Sequence, residues 1–313
     1  MSDFVIIPDA SSDLTKELRE RFHIPDYIRG TIYYPDGKEY SVGLDWELMD
    51  PVTFYTSMSG RKTLYKTASA QRGDIIAVYE NQLKAGKDIL AVTLSSALSG
   101  TNQVCHKVAE ELLKKYPQRK IIIVDSLRYS TALSLLVIKA SQKQQEGATL
   151  EETAAYLENI KHRIHQIGPM DDMFFLVKTG RVSNFKAFFG TLIGINPMAD
   201  FNRKGLSQVL GKFKGKKRAF DAVIEYIRGT IENPQEQIIF VAHSNREQAA
   251  QMLAQRVQEE FSPKEIIINH VGMSCGASIG PGLCAVFYEG RDISENMEYE
   301  QALMNEIIDN QNN

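Results

Sequence analysis

The sequence predicts an α/β protein of two domains, the first on a mostly parallel sheet and the second on a mixed one. Three observations predict it. Apolar strands end three times in an acid- or hydroxyl-rich turn, at Asp9, Ser95 and Asp125. Helical spacing of apolar residues follows each of those turns. Beyond residue 160 strands and helices alternate less regularly. Repeated βα units with polar strand ends mark a parallel sheet with one functional rim, because helix-start N–H groups face that crevice.

Phe4-Val5-Ile6-Ile7-Pro8 reads as a short strand running into Asp9-Ala10-Ser11-Ser12-Asp13, a turn rich in N-cap residues. A helix follows over Leu14 to Phe22. Ile28 to Tyr34 reads as a strand and Pro35-Asp36-Gly37-Lys38 as a turn. A Tyr/Phe-rich stretch runs from Trp46 to Tyr55. Leu64-Tyr65-Lys66 is a brief extended piece before the hydroxyl cluster Thr67-Ala68-Ser69, and Ile75 to Lys84 is helical. The apolar run Ile89 to Val92 reads as a buried parallel strand. It feeds Thr93-Leu94-Ser95-Ser96-Ala97-Leu98-Ser99-Gly100-Thr101-Asn102, and Val104, Val108 and Leu112 continue as a helix. Ile121 to Val124 places four β-branched residues in a row, the clearest strand in the chain. It ends at Asp125-Ser126; Leu133 to Gln145 follows as a helix, stopped by Gly147.

In the second half, His165-Gln166-Ile167-Gly168-Pro169 reads as a linker and Phe174-Phe175-Leu176-Val177 as a strand. Phe188 to Ile195 is an apolar stretch. Lys212 to Arg218 is a basic run, read as a solvated loop. Ile238 to Ala242, Glu265 to Asn269 and Ala285 to Tyr288 read as strands, with a helix from Arg246 to Phe261. Residues 290–313 read as an appended acidic helix with Leu303 and Ile307 on one face. The expected domains are 1–165 and 166–289, with 290–313 as a C-terminal tail.

Composition narrows the function. A hydrophobic content of 43% and a charged content of 24% are ordinary for a soluble globular chain of 313 residues. A net charge of −3 argues against nucleic acid as the main partner. Cys105, Cys275 and Cys284 form no CxxC, which predicts reduced thiols in the cytoplasm rather than a disulfide framework. The start Met1-Ser2-Asp3-Phe4 has neither basic nor apolar signal-peptide regions, and no apolar run approaches the ~20 residues of a membrane span. The six histidines show no metal spacing, so no metal is expected.

The turn from Thr93 to Asn102 holds hydroxyls without a Lys or a Gly-rich arch. That suits a small acidic head group better than a triphosphate. Each candidate also has a structural reading. Ser95, Ser99, Asp9 and Asp125 are of the kind that more often caps helices or forms turns. Arg181 reads as a carboxylate partner or as half of a structural ion pair. Phe188 and Phe189 read as tunnel lining or as plain core. The run Lys212 to Arg218, if functional, is a docking surface for an acidic partner or for transient membrane contact. His243 beside Ser244 is poor evidence for a nucleophile, since triads assemble in space.

In order along the chain, Ile7-Pro8-Asp9-Ala10-Ser11-Ser12-Asp13-Leu14, Lys66-Thr67-Ala68-Ser69, Leu94-Ser95-Ser96-Ala97-Leu98-Ser99-Gly100-Thr101, Val124-Asp125-Ser126, Leu176-Val177-Lys178-Thr179-Gly180-Arg181-Val182, Gly190-Thr191-Leu192-Ile193-Gly194-Ile195-Asn196-Pro197 and Ile279-Gly280-Pro281-Gly282 resemble the DegV family. The resemblance implies the EDD fold: two α/β domains with a ligand cleft between them. It implies a long-chain fatty acid in an inter-domain tunnel, no other cofactor and no intrinsic catalysis. It also implies a partner, an ATP-dependent fatty acid kinase subunit to which the carboxyl group is presented. Thr67 and Ser95 match the family's carboxylate-holding hydroxyls, and Ser96 its backbone N–H donor. Asp9, Ser11, Asp125, Ser126 and Arg181 fall around them. Ser278 stands where the family carries a head-group His, a departure bearing on kinase presentation more than on lipid binding. Two other readings compete: a lipid-sensing regulatory module, and an enzyme acting on a small acidic substrate through Asp9, Asp125 and Ser95.

Overall fold

The computed structural model describes residues 4–183 and 195–312. Phe188, Phe189 and the start of the Gly190–Pro197 motif lie outside the described residues. The chain divides into two compact units. The first takes the chain through Asp50, Leu64–Lys161 and Gly272–Cys275; the second takes Pro51–Thr63, His162–Val271 and Gly276–Asn313.

The first unit is built on β1 (Phe4–Pro8), β5 (Asp88–Thr93) and β6 (Ile121–Asp125), all parallel, in the order β1-β5-β6. β5 is central, and its residues from Ile89 to Thr93 are all buried. That explains its unbroken apolar run: helices cover both faces. On one face Ile7, Ile89 and Ala91 pack with Ile75, Tyr79 and Leu83 of α3 (Arg72–Lys84) and with Cys105, Val108 and Leu112 of α4 (Thr101–Lys115). α5 (Thr131–Gln145) and α6 (Leu150–Ile160) contact the strands as a second helix pair. Sequence reading passed over α6, although Thr149 and Glu152 announce it. The Thr149 hydroxyl accepts from the Glu152 N–H at 3.2 Å, and the Glu152 carboxylate accepts from the Thr149 N–H at 2.8 Å. A small antiparallel sheet joins β2 (Gly30–Tyr33), β3 (Glu39–Val42) and β4 (Lys66–Ala68) in the order β3-β2-β4, and α1 (Lys16–Arg21) completes the unit.

The second unit carries the mixed sheet. β11 (Ile238–His243) runs parallel to β12 (Glu265–His270) and antiparallel to β13 (Cys284–Glu289), which pairs antiparallel with β7 (Ile164–Ile167). The expected linker at 165–169 is therefore a correction: most of it is β7, buried along its length. Its polar residues hid it. His165 Nδ1 lies 2.6 Å from Asp200 Oδ2, and Gln166 Nε2 donates to Ser207 Oγ at 2.6 Å, so both side chains are satisfied inside the unit. The expected strand at 174–177 is also corrected. It is the helix α7 (Phe174–Thr179), where Asp172 Oδ1 accepts from the Phe174 N–H at 2.8 Å and Gly180 closes the end at φ 71°.

The stretch from Trp46 to Tyr55 leads into α2 (Pro51–Met58), which belongs to the second unit; Tyr55 donates to the Val271 carbonyl at 2.5 Å. The basic run is exposed but is not a loop. It spans the end of β10 (Ser207–Lys214) and the start of α8 (Lys216–Thr230). β10 lies between β8 (Val182–Ser183) and β9 (Ile195–Phe201). α9 (Glu247–Phe261), α10 (Met273–Ile279) and α11 (Glu298–Asn312) complete the order. α11 packs on β10 and α8 with Met304 and Ile307 buried. A Cβ on Gly229 would stand 2.6 Å from Leu303 Cδ2, so the absence of a side chain there admits the helix. Among the described residues no helix is long and apolar enough to cross a membrane.

Candidate functional site

The order β1-β5-β6 sets the three polar strand ends side by side on one rim. Backbone hydrogen bonds lock them together. Asp9, 3% exposed, accepts from the Ser11 N–H at 2.8 Å through Oδ1 and from the Leu94 N–H at 2.8 Å through Oδ2. Asp125 Oδ1 accepts from the Ser96 and Leu127 N–H groups, each at 3.1 Å. Each carboxylate thus fastens its own turn; Asp9 also holds the turn after β5, and so does Asp125. Burial pushes the Asp9 carboxyl above the usual range, and the donated N–H bonds partly offset this.

Ser95 is fully buried. Its N–H donates to the Arg128 carbonyl at 2.8 Å and its Oγ accepts from the Ala97 N–H at 3.3 Å. That is the turn-forming role of a serine at this position. Ser96 is exposed, and its N–H is engaged by Asp125. Ser126 is buried and bonded within its own turn: its Oγ donates to the Arg128 carbonyl and accepts from the Arg128 N–H, both at 3.0 Å. Ser11 Oγ lies 3.1 Å from Ser274 Oγ.

Thr67 lies on β4, paired with Ile32 of β2 in the small sheet. The residues just past β4 touch the serine turn: Ser69 Oγ is 3.4 Å from Ser99 Oγ, and the Ala70 N–H donates to Thr101 Oγ1 at 3.2 Å. Ser99 Oγ in turn lies 3.0 Å from Thr101 Oγ1, which makes a relay of hydroxyls joining the two motifs. A Cβ at Gly100 would stand 2.9 Å from Ser69 Oγ, so a side chain there would turn the Ser69 hydroxyl away from its present place. Thr67 itself is half-buried, and its hydroxyl has no partner among the described residues. Ser278, half-buried in α10, and Arg181 belong to the second unit, whereas the other seven candidates belong to the first. Arg181 closes α7: its guanidinium donates to the Thr179 carbonyl and its N–H to the Leu176 carbonyl.

Asp13 is a further buried carboxyl beside these turns that sequence reading did not single out. It is buried, adopts φ 56°, accepts from the Gly272 N–H at 2.9 Å and accepts from the Ser130 hydroxyl. Burial raises its carboxyl to about 7, against the donated bonds. The folded protein therefore holds this proton more tightly than the unfolded chain, and stability falls as pH rises from the ordinary carboxylate range towards 7. Over that window the loss is about 3–4 kcal/mol. Asp13→Asn is expected to flatten most of this slope in urea unfolding followed across pH, leaving the smaller part that the buried Asp9 carboxyl adds with the same sign. An unchanged slope would remove Asp13 as its source.

The cysteines are inert. All three are buried and free, and burial pushes the Cys105 and Cys284 thiols up to about 12. Among the described residues no cluster of His, Cys, Asp or Glu could hold a metal ion.

Comparison with known proteins adds to this geometry. Residues 3–291 match a family model described as uncharacterised protein, DegV family. A DegV domain-containing protein of Clostridium perfringens, CPE0026, is 33% identical over 290 residues, covering 93% of this chain and 98% of the relative. Among solved structures, a fatty-acid-binding DegV family protein from Thermus thermophilus is 25% identical with a TM-score of 0.81, over 92% of this chain and 99% of that one. The Streptococcus pneumoniae fatty acid kinase B3 protein, loaded with linoleic acid, shares the fold at 22% identity and a TM-score of 0.77, over 92% of this chain and 99% of that one.

Proposed function

Starting from the fact that this chain belongs to the DegV family, we propose that it binds a long-chain fatty acid through a carboxylate site at Thr67, Ser95 and Ser96. The observation that carries the reading is the meeting of the β4 end with the serine turn on one sheet rim, which leaves the Thr67 hydroxyl unpartnered. An ionised carboxylate away from water needs several donors. The Thr67 hydroxyl is one. The Ser95 hydroxyl accepts from Ala97, and its proton remains to be donated. The Ser96 N–H is the third, shared with or released from Asp125. Asp9, Ser11, Asp125 and Ser126 hold the turns that position these donors. Ser278 and Arg181 belong to the same proposal, as does the tunnel that takes up the acyl chain. Each buried methylene adds about 0.8 kcal/mol, so the tail dominates affinity.

The fatty-acid-binding protein of Thermus thermophilus supports this reading, and the Streptococcus pneumoniae kinase protein supports presentation of the head group to an ATP-dependent kinase subunit. The reading as an enzyme on a small acidic substrate loses ground, because Asp9 and Asp125 are occupied by backbone N–H groups. Mass spectrometry of the purified protein before and after organic extraction tests the proposal. One fatty acid of about 14–18 carbons per chain is expected.

A further inference from the structure

We propose that a cleft between the starts of α8 and α9 docks an acidic, amphipathic segment of a partner protein. The cleft measures about 630 Å³. It converts the basic run, which lipid binding leaves without a use, into a shaped surface. Lys216 and Lys217 line it from α8, and Arg246 and Arg256 from the α9 side. Glu247 is the one carboxylate in the lining, in a chain whose net charge is −3.

Two neighbouring acids neutralise part of this charge. Asp221 bridges Lys217 at 2.8 Å and Arg256 at 2.9 Å, and Asp171 pairs with Arg246 at 2.6 Å. Lys216 is exposed and has no ion-pair partner among the described residues. The cleft therefore keeps a cationic rim.

Its interior is apolar. Phe220 and Leu253 form the floor, and Met252 stands at the mouth, 68% exposed. An exposed methionine over an apolar floor adapts to a protein side chain at little cost. A concave apolar cleft rimmed by cations fits a segment with one or two apolar anchors flanked by Asp or Glu. A flat lipid surface would leave the floor unfilled.

The test pans a displayed library of random peptides of about 16 residues on the full chain at about 0.15 M ionic strength. Enriched sequences should be acidic, with apolar residues at helical spacing. A synthetic peptide of the leading sequence should lose about tenfold in affinity on Lys216→Glu with Met252→Ser, and should gain on Glu247→Lys. All three positions are exposed, and the melting temperature and fatty acid binding should stay unchanged. Enrichment without acidic bias, no enrichment, or affinity untouched by these variants overturns the proposal. Binding to phosphatidylcholine vesicles containing phosphatidylglycerol that the same double variant abolishes, with no acidic peptide enriched, also overturns it and assigns the cleft to a lipid surface.

Discussion

Asp200→Ala should destabilise the second unit by about 3–5 kcal/mol, the largest effect expected of a single substitution in this chain. Asp200 is fully buried and accepts four hydrogen bonds. The donors are His165 Nδ1 at 2.6 Å, the Tyr226 hydroxyl at 2.8 Å, and the Gln166 and Phe201 N–H groups at 2.8 and 2.6 Å. The other nitrogen of His165 lies 2.8 Å from the Arg291 carbonyl. Both ring nitrogens face acceptors, an arrangement satisfied by a doubly protonated ring. Alanine would take one buried acceptor away from all four donors, which costs more than the volume lost. Asp200→Asn retains an oxygen for the two N–H groups and should fall in between. Urea unfolding of the three proteins checks the order. If Asp200→Ala is within about 1 kcal/mol of the parent, the network is not a keystone of this unit.

Thr67→Ala combined with Ser95→Ala should weaken fatty acid binding by about a hundredfold or more. Two charge-assisted hydrogen bonds at about 1.5–3 kcal/mol each set that scale. The fold should survive. Thr67 sits on a short strand of the small sheet, where its backbone pairing with Ile32 does not depend on the hydroxyl. Ser95 gives up one turn bond, to Ala97, and that costs about 1 kcal/mol. Fluorescent fatty acid displacement together with a thermal melt separates the possibilities. Lost binding with a small melting shift fits head-group recognition. A collapsed melt with binding lost only in proportion would reduce both residues to turn formers.

The first unit was legible because its central strand β5 is buried and β6 beside it is apolar throughout Ile121–Val124. Unbroken runs such as Ile89–Val92 and Ile121–Val124 have few other uses, and the polar strand ends fell on one rim because the strands are adjacent and parallel. The second unit was less legible where polar side chains are internal. β7 read as a linker because the partners that satisfy His165 and Gln166, Asp200 and Ser207, lie more than thirty residues away. At α7 a four-residue apolar run fits strand and helix equally; Asp172 before it and Gly180 after it were the deciding signals.

At the candidate site, sequence names hydroxyls and carboxylates at strand ends but not their partners. That Ser96 donates to Asp125, or that Asp13 meets Gly272 and Ser130, depends on chain segments 29 to 259 residues distant. The relay from Ser69 through Ser99 to Thr101 was half visible, since the two motifs were read separately and their contact is tertiary.

Whether this chain carries a fatty acid is decided by native mass spectrometry followed by organic extraction. The expected result is a protein heavier than its sequence by one fatty acid of about 14–18 carbons, released intact on extraction and bound again when added back. A protein that purifies at the mass of its sequence alone, and that takes up no fatty acid from solution, would contradict it.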